Sequence, residues 1–212
     1  MVGDKVIGVL NLESKKAGAF SREDVRNLTP LAAGVGLMLA SMQIKQLLRE
    51  QALLYCLTGA HNRHAMGGIV AEELERAWRH GHDVSFVMMD IDEFKSINDR
   101  LGHAEGDRVL ETLVAVLRKS LRTIDKVIRY GGDEFLLVLP ETSQQETELM
   151  LERLRASVET QVLTVTGAVH CYAGIATMQG DPTEENLVQL ADKRMYEAKA
   201  KYRAQLEEDL GY

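Results

Sequence analysis

The spacing of apolar residues divides the chain into two stretches of different character. Residues 5–12, Lys-Val-Ile-Gly-Val-Leu-Asn-Leu, form a β-type apolar run. A polar turn with Gly18 follows, and Ser21 then precedes the acidic residues Glu23 and Asp24, a pattern that starts helices. Val25, Leu28, Ala32, Val35, Leu39 and Met42 recur in steps of three and four, an a/d seam. The seam blurs at Gln46 and Arg49 and resumes near Leu47, Leu48 and Leu54, while Pro30 and the Gly34/Gly36 pair weaken its early part. It suits a dimeric coiled coil, and a single buried amphipathic helix would explain it equally well. One strand and one helix cannot bury a core, so the first 45 residues read as the end of a domain.

After residue 57 short apolar runs alternate with helical periods. Helices are predicted over 62–80, 94–101, 107–121, 146–160 and 183–206. Strands are predicted over 84–89, 127–130, 135–139 and 169–177. The third and second of these flank Gly131-Gly132 as the arms of a hairpin. The fold class is therefore α+β, with helices packed on a central, mostly antiparallel sheet and a long helix in front.

Composition narrows the function. The 212 residues suffice for one full domain and part of another. A net charge of −7 argues against broad nucleic-acid binding. Cys56 and Cys171 have no metal-ligand spacing, which makes a reducing cytoplasm the expected compartment. The longest apolar stretch, 31–42, is too short to cross a bilayer.

Three clusters carry candidate chemistry. In Gly131-Gly132-Asp133-Glu134 two glycines can make a two-residue turn through positive φ, with carboxylates at its exit. In Met89-Asp90-Ile91-Asp92-Glu93-Phe94 a strand ends in a carboxylate just before a helix N-terminus that can receive phosphate. If this strand lies beside the hairpin, Asp90 and Asp133 can converge on one Mg²⁺. The plainer readings are solvated acids at a hairpin tip, and Asp90 and Asp92 as helix caps. Asn98 and Asp107 flank Gly102 and Gly106, which read as a turn between helices. A carboxylate there can accept from guanine N1–H and N2–H₂, whereas adenine would leave it unpaired at a cost of roughly 1–3 kcal/mol. By spacing alone, helix caps are the better reading of this pair.

Asp90-Ile91-Asp92-x-Phe94-Lys95-x-Ile97-Asn98-Asp99, Gly102-His103-x-x-Gly106-Asp107 and Arg129-Tyr130-Gly131-Gly132-Asp133-Glu134-Phe135 occur in that order. Together they resemble the GGDEF domain of diguanylate cyclases, from about Leu53 to Ala204. The resemblance implies a fold like the polymerase palm and class III nucleotide cyclases. It implies condensation of two GTP into cyclic di-GMP with release of two pyrophosphates. It implies Mg²⁺, for which Mn²⁺ could stand in, on Asp90, Asp133, Glu134 and the Ile91 carbonyl, with Glu134 also helping to deprotonate the 3′-hydroxyl. Asn98 and Asp107 would read guanine. Phe94 and Lys95 would meet phosphates through their backbone, and Lys199 and Arg203 would hold the terminal phosphates. Arg122-Thr123-Ile124-Asp125 resembles the family's inhibitory product site; a surface ion pair is the plainer reading.

The segments Gly8–Ser14, Phe20–Asp24 and Leu31-Ala32 resemble the last strand and helix of a GAF sensory domain. The implied organisation is a GAF remnant over 1–20, a signalling helix over 21–55 that pairs two copies, and a GGDEF catalytic domain over 56–212. The chain departs from the family pattern at Tyr55 (usually Asp), His64 (Arg), Tyr172 (Ser), and Tyr202 and Ala204 (Gly and Asn). The alternative function is a catalytically weak GGDEF module that senses GTP or cyclic di-GMP. An enzyme making another cyclic dinucleotide is disfavoured by Asp107.

Overall fold

The computed structural model describes residues 9, 11–178 and 184–209, with the side chains of 43, 45–52, 184–186, 203 and 206–209 excepted. Residues 5–8 and 10 of the predicted strand and the side chains of Leu47, Leu48 and Arg203 therefore lie outside what is described, while Val9, Asn11 and Leu12 are exposed and belong to no strand. The chain divides into two compact units at the Ala52/Leu53 boundary.

In the first unit, α1 runs from Arg22 to Ala52 and continues through Pro30. Ser21 and Asp24 cap it reciprocally: the Asp24 N–H donates to Ser21 Oγ at 3.2 Å, and the Ser21 N–H donates to Asp24 Oδ2 at 2.7 Å. Val25, Val35, Leu39 and Met42 of the seam are exposed, as are Leu31, Leu37, Met38 and Ile44. The apolar surface of α1 is thus wider than a two-position seam.

The second unit is built on a five-stranded sheet of order β1-β3-β4-β2-β7. The strands are β1 His61–Asn62, β2 Val84–Ile91, β3 Lys126–Gly131, β4 Glu134–Pro140 and β7 Cys171–Thr177. A short hairpin, β5 Leu163–Thr164 and β6 Gly167–Ala168, stands apart. Only β1 against β3 is parallel; the other pairings of the five-stranded sheet are antiparallel. Every residue of β2 is buried, because β2 lies between β4 and β7 and is covered on both faces.

Alternation along the strands assigns the two faces. Val87, Met89, Phe135, Leu137 and Leu139 pack with α4 (His103–Ser120) and α5 (Gln144–Gln161). Phe86, Met88, Leu136, Val138 and Ala176 pack with α2 (Arg63–His80) and α6 (Glu184–Asp209). Asp90 continues the Phe86–Met88 face, so it projects toward the side on which α6 lies.

Two glycines set helix positions. A Cβ on Gly174 would come within 2.1 Å of the Met195 nitrogen and 2.2 Å of the Ala191 oxygen, so α6 crosses β7 in backbone contact there. A Cβ on Gly106 would stand 2.0 Å from Asn98 Oδ1. Gly106 is therefore not a turn residue, as its spacing from Gly102 suggested. It lies inside α4, which begins at His103 and packs closely on α3, Phe94–Leu101. The reversal is made at Gly102 alone, with φ +86°.

Candidate active site

Asp90 is 7% exposed near the end of β2. Its register partners are Glu134 on β4 and Tyr172 on β7, so three polar side chains stand in one row on one face. The Ile91 N–H donates to the Asp133 carbonyl at 3.2 Å, which ties the turn to the strand end. Asp90, Asp133 and Glu134 are thereby brought together from sites over forty residues apart in sequence.

The turn itself differs from expectation. Gly131 belongs to β3 and pairs with Glu134 after a register shift, and the two turn residues are Gly132 and Asp133. Neither glycine has positive φ. The turn is held instead by Arg129, whose Nε and Nη2 donate to the Gly132 carbonyl at 3.0 and 2.7 Å. The Arg129 guanidinium lies 4.9 Å from the centre of the Tyr55 ring. Sequence reasoning missed Arg129; its place immediately before Tyr130-Gly131-Gly132 was the available signal.

The electrostatics are those of crowded carboxylates. Burial, and then the Asp90 carboxylate, raise the Asp133 carboxyl above its ordinary range, while Lys199 and Arg129 act the other way. Burial, then Asp90, Asp133 and Asp192, raise Glu134. The cation at the centre of the group is Lys199, whose Nζ stands 2.5 Å from Asp90 Oδ1.

This donor set fits a hard divalent cation: all its ligating atoms are oxygen and its charges repel one another. Among the described residues, however, no three acidic, His or Cys side chains already stand at metal-ligand spacing. The carboxylates are collected but not closed around a centre.

The capping readings fail. The N-cap of α3 is Glu93, with φ +50° and no side-chain cap bond, so neither Asp90 nor Asp92 serves there. Asp92 Oδ2 accepts the Tyr172 hydroxyl at 3.0 Å. Asn98 lies within α3 and Asp107 within α4, and neither is a cap. Asn98 packs on Gly106, immediately before Asp107, so the two guanine candidates both lie near the α3–α4 packing point. Phe94 is buried at the start of α3, and Lys95 is exposed beside it.

Arg122 and Asp125 lie on a cavity of about 240 Å³ that His61, Arg118 and Lys126 also line. The Arg122 N–H donates to Asp125 Oδ2 at 2.7 Å. Its guanidinium donates to the Pro140 carbonyl at 2.9 Å and to the Thr142 hydroxyl. His61 Nδ1 is buried without a hydrogen-bond partner, among the described residues the only such side-chain atom. Burial, then Lys126 and Arg118, depress its pKa.

A family model described as "Diguanylate cyclase, GGDEF domain" matches residues 52–205. The chain belongs to the GGDEF diguanylate cyclase family. The match covers most of the second unit, where the three motifs lie. The GGDEF relatives include diguanylate cyclase DgcP of Pseudomonas aeruginosa, 40% identical over 162 residues, which are 75% of this chain and 24% of DgcP. Diguanylate cyclase DosC of Escherichia coli K12 is 37% identical over 163 residues, 75% of this chain and 35% of DosC. The chain thus spans about a quarter to a third of the length of these curated relatives.

Among solved structures, diguanylate cyclase SiaD of Pseudomonas aeruginosa, determined with its activator SiaC, is 34% identical with a TM-score of 0.67. That match covers 84% of this chain and 70% of SiaD. The coiled coil and GGDEF domain of Caulobacter crescentus DgcB, bound to cyclic di-GMP, has a TM-score of 0.73 at 23% identity, over 82% of this chain and 94% of that one. The latter speaks to the fold. Among the described residues no helix is long and apolar enough to cross a membrane.

Proposed function

We propose that this chain condenses two GTP into cyclic di-GMP, releasing two pyrophosphates. The observation that carries the proposal is the row of Asp90 and Glu134 beside the Asp133 turn, with Lys199 among them. Family membership and the named cyclases that resemble the chain support it.

Asn98 and Asp107 bind guanine, with the Asp107 carboxylate accepting from N1–H and N2–H₂. The backbone at Phe94 and Lys95 receives phosphate, aided by the unsatisfied N–H groups that open α3. Lys199 and Arg203 take the terminal phosphates, one helical turn apart. The 3′-hydroxyl of one GTP attacks the α-phosphorus of the other in line, a P–O bond forms, and pyrophosphate leaves. Glu134, its carboxyl pushed up by burial and then by its acidic neighbours, helps take the hydroxyl proton. Asp90, Asp133, Glu134 and the Ile91 carbonyl are the groups that would hold Mg²⁺ or Mn²⁺. When bound, the metal supplies activation of the hydroxyl and charge neutralisation at the leaving group. The rest of the catalysis is positioning.

Each domain holds one GTP, so two must face each other. We assign that pairing to α1, with a GAF-type sensory end before it, and product inhibition to Arg122 and Asp125. A crystallised microbial GGDEF domain at 34% identity, described for its interaction with cyclic di-GMP, is consistent with product binding.

One observation favours the second reading, a weakly catalytic module that senses GTP or cyclic di-GMP: the Lys199 ammonium already occupies Asp90. Turnover of GTP by the purified protein, compared with Asp133→Ala, separates the two. Cyclic di-GMP from the wild type alone supports the cyclase; binding without product supports the sensor.

A further inference from the structure

Tyr172 and Tyr202 lie 30 residues apart in sequence. They meet in the fold. Their ring centroids are 5.5 Å apart with the planes inclined at 57°. Tyr172 is 8% exposed. Its hydroxyl is anchored on Asp92 Oδ2 at 3.0 Å, which holds the outer end of the ring in place. The Lys199 ammonium lies 5.8 Å from the centre of that ring while it pairs with Asp90. On α6, Lys199 and Tyr202 are three residues apart and so share a face.

Tyr172 is also a support that β7 gives to α6. Residues two apart on a strand point the same way, so Tyr172 and Gly174 lie on one face of β7. Gly174 receives the α6 backbone at Ala191 and Met195. Tyr172 receives the next turn, at Lys199 and Tyr202.

We propose that Tyr172, braced by Tyr202 and Asp92, is a positioning residue that holds the Lys199 ammonium at the carboxylate site for the terminal phosphates of a nucleoside triphosphate. The inference rests on the phosphate role given to Lys199 above. A cation over a ring face is not bound to one direction in the ring plane. The ammonium can therefore turn from Asp90 to an arriving phosphate without leaving Tyr172. An aliphatic residue would fill the space but not attract the cation.

The test is a double-mutant cycle read by calorimetric binding of 3′-deoxy-GTP, which lacks the attacking hydroxyl, with Mg²⁺ present. Tyr172→Leu should weaken that binding roughly three- to tenfold. It should leave the affinity for GMP, which has no terminal phosphates, unchanged. Tyr172→Phe keeps the ring and should retain most of the affinity. In a Lys199→Met background Tyr172→Leu should cost nothing further. An equal loss in that background, or an equal loss for GMP, would overturn the proposal by showing a merely structural role. A wild type that does not bind 3′-deoxy-GTP would overturn this inference together with the nucleotide reading. A wild type that binds it but forms no cyclic dinucleotide from GTP would sink the cyclase reading alone, and the cycle would still decide this one.

Discussion

The Nζ of Lys199 lies 2.5 Å from Oδ1 of Asp90, a contact that spans 109 residues of chain and joins the last helix to the central strand. It places the cation assigned to the terminal phosphates directly on a carboxylate assigned to the metal. Metal and nucleotide should therefore help each other to bind: the triphosphate draws the ammonium away and frees Asp90. Mn²⁺ affinity, followed by its paramagnetic signal, should rise when 3′-deoxy-GTP is present. In Lys199→Met the affinity should already be raised without nucleotide. Equal Mn²⁺ affinity in all three cases would contradict this reciprocity.

The crowded carboxylates should make the metal-free domain less stable than it need be. Asp133 and Glu134 both have raised pKa values in the fold. The folded state then holds more protons than the unfolded one over that range, and stability falls as pH rises through the folded pKa values. Asp133→Asn and Glu134→Gln should flatten that slope and raise the melting temperature at neutral pH, while abolishing turnover. Thermal melts from mildly acidic to neutral pH, with a chelator present, check this. An unchanged slope in both variants would refute it.

Two glycine substitutions should differ in kind. Gly174→Ala drives a Cβ into backbone atoms of α6, which cannot yield locally. The expected cost is about 1–3 kcal/mol or more, seen as a lower denaturation midpoint. Gly106→Ala meets chiefly the Asn98 side chain, which can swing aside. Its main effect should be a loss of GTP affinity with a smaller loss of stability. Calorimetric GTP binding and denaturant melts on both proteins would show the reversal of rank; the same rank in both measurements would count against it.

Arg122→Ala should relieve inhibition by cyclic di-GMP. It should also lower stability modestly, since the guanidinium holds the Pro140 carbonyl and the Thr142 hydroxyl. Initial rates with added product test the first effect. A variant inhibited as strongly as the wild type would remove Arg122 from the product site.

Much of this was legible in the chain because the motifs are local. The run Val84–Met89, the hairpin arms and the boundaries of α3 follow from apolar spacing. What escaped was set by tertiary contact. Strand β2 continues through Asp90 and Ile91 because β4 and β7 pair with them, although a carboxylate looks like a strand end. A glycine that allows positive φ and one that allows close packing read alike; Gly102 is the first kind, and Gly106 and Gly174 are the second. The Gly131-Gly132 pair is neither a positive-φ turn nor held by its own geometry, since Arg129 supplies the restraint. The partners of Tyr172 and Lys199 depend on where α6 crosses the sheet, which no local pattern encodes.

The role given to α1 has its own test. Protein lacking residues 1–50 should be monomeric by light scattering and should turn GTP over far more slowly. Full activity in that protein would separate α1 from catalysis.

The most direct measurement of the central claim is product identification. Purified protein is incubated with GTP and Mg²⁺, and the nucleotides are separated and weighed by mass spectrometry, alongside Asp133→Ala. The account predicts cyclic di-GMP and pyrophosphate in a one-to-two ratio from the wild type and neither from the variant. Wild-type protein that is dimeric, binds GTP and yields no cyclic di-GMP would contradict it.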